Sequence, residues 1–189
     1  QIASEFTHQD KVEGLNKSEN LMHDKEQHQQ SGYYKKIGQA QNKSFEFPQK
    51  VMLPLIDKVK ESYLGVLKAS TIIELMTDEN GDLIPNVFYD NVRDFQGDNN
   101  VNKEIAATIN SEYKDAFLIL NNGITIVAEE LETTRNTFTI SNYQIINGCQ
   151  TSNVLFENID KLDENVMVPV KLISSKNRDI TAKLIRSTN

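Results

Sequence analysis

Apolar residues are sparse in the first third of this chain and then fall into short runs separated by polar turns. Over residues 1–31, Ile2, Phe6, Val12, Leu15 and Leu21 are scattered among glutamines, histidines and charged groups. That spacing reads as a solvent-exposed helix or a linker. Residues 32–50 mix Gly32, Gly38 and Pro48 with lysines and glutamines and read as a connector, with one short strand near Phe45-Glu46-Phe47. Met52, Leu55, Ile56 and Val59 then recur at helical spacing, with Pro54 in the first turn, and predict a short helix over 51–59. Tyr63–Ala69 predicts a buried strand. A helix capped by Ser70 follows, with Ile72, Ile73, Leu75 and Met76 on its apolar face. Asp78–Asp82 reads as a surface turn, since it lacks the distal glutamate and ligand ladder of a calcium loop.

Further along, Val101–Ile109 predicts a helix capped near Asn102, with Ile105 and Ile109 inward. Ala116–Leu120 and Ile124–Ala128 are two apolar runs separated by Asn121-Asn122-Gly123. Asn-Gly between such runs predicts a tight hairpin turn, because both residues tolerate positive φ. A second hairpin is expected to join residues 124–132 to Thr137–Ile140. After it, Ile145-Ile146 ends at Asn147-Gly148, and Cys149-Gln150-Thr151-Ser152-Asn153-Val154-Leu155 takes up helical spacing to about Ile159. This reads as strand, tight turn, helix. Val166–Ile173 predicts a strand in which Pro169 marks an edge or a bulge. A last helix begins at Asn177-Arg178-Asp179, with Ile180, Leu184 and Ile185 buried. The elements add up to an α/β chain of the α+β type: a mixed, mainly antiparallel sheet with peripheral helices. A polar arm or linker is expected over residues 1–50 and a domain over 51–189.

Composition narrows the function classes. With 189 residues the chain is long enough for one domain with a core that needs no disulfide staple. The single cysteine fits a reducing compartment, and no apolar run is long enough to span a bilayer, so a cytoplasmic protein with no membrane partner is expected. The net charge of −7 argues against a protein that coats nucleic acid over its whole surface. Residues 165–189 depart from that balance, with Lys171, Lys176, Arg178, Lys183 and Arg186 against Asp179 alone. They follow directly on the strand–turn–helix at 145–155. A helix N-terminus presents unpaired N–H groups and the positive end of its dipole, so that turn is a candidate anion site. The candidate ligand-binding set is Arg93, Asn121, Asn122, Gly123, Asn147, Gly148, Gln150, Thr151, Ser152, Lys171 and Arg186.

No complete catalytic constellation is visible. There is no Walker loop, no Gly-x-Ser-x-Gly, and His23 and His28 lack the four-residue spacing of helical metal ligands, so no metal is assigned and the cofactor is unknown. Asp90, Asp94 and Glu104 are the carboxylates available to a nuclease or nucleotidase. Cys149 beside a helix N-terminus has the position of an activated nucleophile, but burial and packing explain a cysteine there more simply.

Four stretches occur in an order that resembles one family: Phe88–Gly97, Val101–Ile105, Asn121–Ile126 and Gln144–Ser152. Together they are similar to the abortive infection phage resistance (AIPR) family of bacterial proteins, over roughly residues 60–189. The resemblance implies a role in defence against phage. Members of the family are usually longer, which implies that the parent protein continues past Asn189. A more distant likeness is to ParB-like domains, in which a glycine-containing polar turn leads into a phosphate-contacting helix. Asn147 and Thr151 stand where those motifs carry a carboxylate and a basic residue, which leaves phosphate contacts to backbone N–H groups and hydroxyls. The expected function is a phage-defence domain that binds a phosphate-bearing ligand, nucleic acid or nucleotide. The alternatives are a nuclease or nucleotidase, and a sensor module that meets a phage component or partner subunit.

Overall fold

The computed structural model describes residues 42–84, 86–89 and 100–188. The chain divides into two units, 1–39 and 40–189, and the described residues all lie in the second. Arg93, Asp90, Asp94 and the three histidines lie outside the described residues, as do residues 1–41 of the arm expected over 1–50.

Six strands form one mixed sheet: β1 (Asn42–Glu46), β2 (Gln49–Met52), β3 (Glu61–Lys68), β4 (Ile124–Thr134), β5 (Thr137–Asn147) and β6 (Met167–Ser174). Their order across the sheet is β1-β5-β4-β6-β3-β2. All neighbours run antiparallel except β4 and β6. Among the described residues five α-helices accompany it: α1 (Ala69–Met76), α2 (Asn100–Ile109), α3 (Phe117–Leu120), α4 (Cys149–Glu157) and α5 (Arg178–Thr188). The α+β class read from the sequence is the observed one. No described helix is long and apolar enough to cross a membrane.

β1 and β2 are the two edges of the sheet, yet only Phe47-Pro48 separates them in the chain. So short a link reaches about 10 Å at most, so the sheet has to curl until its edges meet. The seam is sealed by rings rather than by a ladder. Phe47 is fully buried between Phe45 and Phe138, and its N–H donates to the Asn136 carbonyl at 2.8 Å. A Cβ on Gly65 of β3 would lie 2.5 Å from the Phe47 ring, so the missing side chain leaves the space that the ring fills.

The main core lies on the face bearing Ile124, Ile126, Ile145, Val168, Val170 and Leu172, where α1 and α4 pack. Tyr143 pins β5 to α1 there: its buried hydroxyl donates to the Leu75 carbonyl at 2.6 Å, and burial drives its pKa upward. The other face carries Val127, Ile146 and Ile173, covered by Ile185 of α5. Asn177 caps α5 by accepting from the Ile180 N–H at 3.0 Å. Asn177→Ala is expected to cost about 1 kcal/mol, read as a lower midpoint in urea unfolding. An unchanged midpoint would remove the cap from the account.

Several local expectations give way to tertiary pairing. The helix expected over 51–59 is absent, because Val51 and Met52 pair with Leu64 and Tyr63 as the edge strand β2. Of the apolar residues at helical spacing there, Met52, Leu55 and Ile56 are exposed, Leu55 at 95%, while Val59 is partly buried against the cluster under α5. The short strand expected near Phe45–Phe47 is β1, shifted to Asn42–Glu46, and the sheet also takes in Gln49 and Lys50, read as connector. Ala116–Leu120 is a 3-10 turn followed by α3 rather than the first arm of a hairpin. α1 starts one residue before its expected cap, with Lys68 at the N-cap and no side-chain bond there. Asn102 sits buried inside α2 rather than capping it. Pro169 lies in an interior strand, opposite Val66 of β3. It is tolerated because the β4 ladder begins one residue later, at Ile124 opposite Val170, so no pairing on that side requires its missing N–H.

Candidate ligand pocket at the N-terminus of α4

The β5–α4 junction is built on two glycines. Gly148 is the N-cap of α4 in the left-handed region at φ +90°, and Gly123, at φ +79°, ends the loop after α3. They touch: a Cβ on Gly148 would lie 2.7 Å from the Gly123 carbonyl oxygen, and one on Gly123 would lie 2.3 Å from the Pro169 carbonyl oxygen. Three backbone segments therefore meet where only glycine fits. The Asn side chains fix the loops around this point. Asn121 Oδ1 accepts from the Gly123 N–H at 2.8 Å, and Asn147 Oδ1 accepts from the Gly148 N–H at 2.7 Å. The Asn121 amide also donates to the Thr151 hydroxyl at 3.1 Å, which ties the 121–123 loop to the first turn of α4.

Because the N-cap is glycine, no side chain caps α4. Residues 149–151 of that first turn line the adjoining cavity, and a helix N-terminus favours an anion beside it. That cavity measures about 800 Å³. It is bounded by one face of α2 (Val101, Glu104, Ile105 and Thr108), by Phe117 and Leu120 of α3, by the 121–123 loop and by residues 147–151.

Of the expected site residues, Asn121, Asn122, Gly123, Asn147, Gly148, Gln150 and Thr151 line this one pocket. Ser152 is fully buried behind it and is not part of the lining. Lys171 and Arg186 are elsewhere. Lys171 shares a sheet face with Ile173, the face covered by α5, and Arg186 is exposed on α5 itself. The basic segment that follows α4 in sequence thus packs on the opposite face of the sheet. Among the described lining residues Glu104 is the only charged side chain.

Cys149 is buried, and its sulfur accepts from the Asn153 amide at 3.2 Å. Among the described residues no three His, Cys, Asp or Glu side chains come together as a metal site. The sequence reading missed the wall supplied by α2. Val101, Glu104 and Thr108 recur at intervals of three and four, beside the inward Ile105 and Ile109, and that stripe was the available signal.

Three of the four stretches that carry the family resemblance contribute lining residues here, while the described part of the first, Phe88-Tyr89, is not among the lining and pairs with β5. Phe88 bridges to Ile145 of β5, Tyr89 N–H donates to the Ile145 carbonyl at 3.1 Å, Val101–Ile105 forms the α2 wall, and the other two stretches form the floor. A protein-family model described as AIPR protein matches residues 88–189. No curated protein matches the chain, and no solved structure does.

Proposed function

The chain belongs to the AIPR family of abortive-infection phage-resistance proteins, and from that premise we propose that its defence role works by holding a phosphate-bearing ligand, nucleic acid or nucleotide, in the pocket at the N-terminus of α4. The observation that carries this reading is the uncapped first turn of α4 opening into a cavity of about 800 Å³. A cavity of that size is within the range that encloses a small organic ligand. A phosphate group at its inner end would accept from the first-turn N–H groups and gain from the helix dipole. Thr151, held by Asn121, adds a hydroxyl at the same end. Cleavage is not part of this reading, since the pocket's described lining carries one carboxylate and no histidine.

Fluorescence anisotropy with short single-stranded RNA and DNA, repeated across a salt series, tests it. Binding is expected to weaken with salt, with a log–log slope of about −0.7 per phosphate contacted. Asn121→Ala removes the acceptor for the Gly123 N–H and the tie to Thr151, and is expected to lower affinity about tenfold in a protein that stays folded by circular dichroism. A slope near zero, or unchanged affinity in the folded Asn121→Ala protein, would sink the reading.

A further inference from the structure

We infer that the open part of the sheet's second face, away from the pocket, is a docking surface for an acidic amphipathic helix of a partner protein. α5 covers that face only over Val127, Ile146 and Ile173. Beside this cover, β6, β3 and β2 present bare cross-strand rows, since residues directly opposite one another in a ladder share a face. Lys171, Leu64 and Val51 form one row, and Pro169, Val66 and Gln49 form the next. Val51 is 68% exposed and Leu64 44%, while Val66, Pro169 and Lys171 are partly buried. An antiparallel face left to water normally carries polar residues. Apolar side chains gathered on such a face mark a contact surface.

The charge around these rows selects the occupant. Lys171 stands in the apolar row, partly buried, and its ammonium has no hydrogen-bond or ion-pair partner among the described residues. A carboxylate on an occupant would pair it. Lys183 and Arg186 are exposed on α5, which packs on the same face, against Asp179 alone. In a chain of net charge −7, this side therefore favours an acidic partner. A helix suits it better than an added strand. β2 ends the ladder, but it is four residues long, carries Lys50 and is flanked by Pro48 and Pro54. Such features block strand addition. Three strands about 4.8 Å apart give a strip about 10 Å wide, the diameter of one helix.

Fluorescence anisotropy of the full chain with labelled peptides of about 18 residues, long enough to hold a helix, tests this. One peptide carries leucines at helical spacing and glutamates elsewhere. A second replaces the glutamates by lysines, and a third scrambles the first so that its apolar stripe is lost. The acidic amphipathic peptide is expected to bind at least about tenfold more tightly than either of the others. Lys171→Glu is expected to turn the preference toward the lysine peptide, and Leu64→Ser to weaken the acidic one about fivefold. Both variants should stay folded by circular dichroism, since neither side chain is in the core. Asn121→Ala, at the pocket on the opposite face, should change none of these affinities. Equal binding of the three peptides, or binding of none, overturns the inference, as does a folded Lys171→Glu protein with unchanged preference. A dimer in sedimentation velocity that Leu64→Ser dissociates would make a second copy the occupant. Binding of a single-stranded RNA that Lys171→Glu weakens, with the peptides unbound, would make it a nucleic acid. Either of these results also overturns the inference.

Discussion

Gly148→Ala is expected to destabilise the protein by about 2–5 kcal/mol and to abolish ligand binding at the α4 pocket. Two costs add. Placing an L side chain in the left-handed region costs about 1–2 kcal/mol. The new methyl would also stand 2.7 Å from the Gly123 carbonyl oxygen and 2.8 Å from Ile124 Cγ1, atoms that belong to the loop and strand forming the pocket's inner end. Relieving such an overlap by moving backbone costs typically about 1–3 kcal/mol. The natural control is Gly81, which has a similar φ of +86° but nothing within 4 Å of an added Cβ. Gly81→Ala isolates the backbone term and should lose no more than about 1–2 kcal/mol, with the pocket intact. Urea unfolding of both variants, with ligand titration of each, checks this. Equal losses at the two glycines would mean that the close approach of the β5–α4 turn to the 121–123 loop contributes nothing.

That close approach also marks what the sequence could and could not reveal. The strand–turn–helix at 145–155 was legible because its signals are local: an apolar strand end, an Asn-Gly turn and helical spacing behind it. Asn121-Asn122-Gly123 was legible as a turn, but not as the partner of Gly148, since proximity between residues twenty-five apart depends on how β4 and β5 pair. Its assignment to a hairpin failed for a related reason. Phe117-Leu118-Ile119-Leu120 has no periodicity long enough to separate a strand from a helical turn, and the surrounding structure leaves Ile119 and Leu120 exposed. Lys171 and Arg186 illustrate the opposite error. Adjacency in sequence made the basic segment look like part of the pocket, yet strand alternation and the position of α5 put it on the other face. The edge strand β2 was missed because Met52, Leu55 and Ile56 mimic a helical stripe, while pairing with β3 decides the conformation of Val51 and Met52.

Phe138→Ala is expected to cost about 3–5 kcal/mol, while sparing the ligand pocket in whatever fraction remains folded. Phe138 is fully buried on β5 and sits where the curled sheet closes. Its ring meets Tyr63 of β3 edge-on at 4.9 Å and Phe47 of the β1–β2 link at 5.4 Å, and it lies 6.1 Å from Phe45 of β1. Lys50 of β2 places its ammonium 5.0 Å from the same ring. One side chain therefore joins β1, β2, β3 and β5, whose ladder leaves two open edges; Phe47 N–H to the Asn136 carbonyl and Lys50 Nζ to Asn136 Oδ1 are hydrogen bonds at the same seam. Truncation removes the transfer energy of a buried ring and leaves a cavity whose walls are other rings that cannot collapse without unpairing β1 from β5. Phe138 and the pocket occupy opposite ends of β5, about 30 Å apart along the strand, so stability and binding should separate. Phe138→Ala lowers the urea midpoint and leaves the dissociation constant of the folded protein unchanged, whereas Gly148→Ala changes both. A loss below about 1 kcal/mol, the level of an ordinary surface substitution, would show that the seam does not depend on this ring.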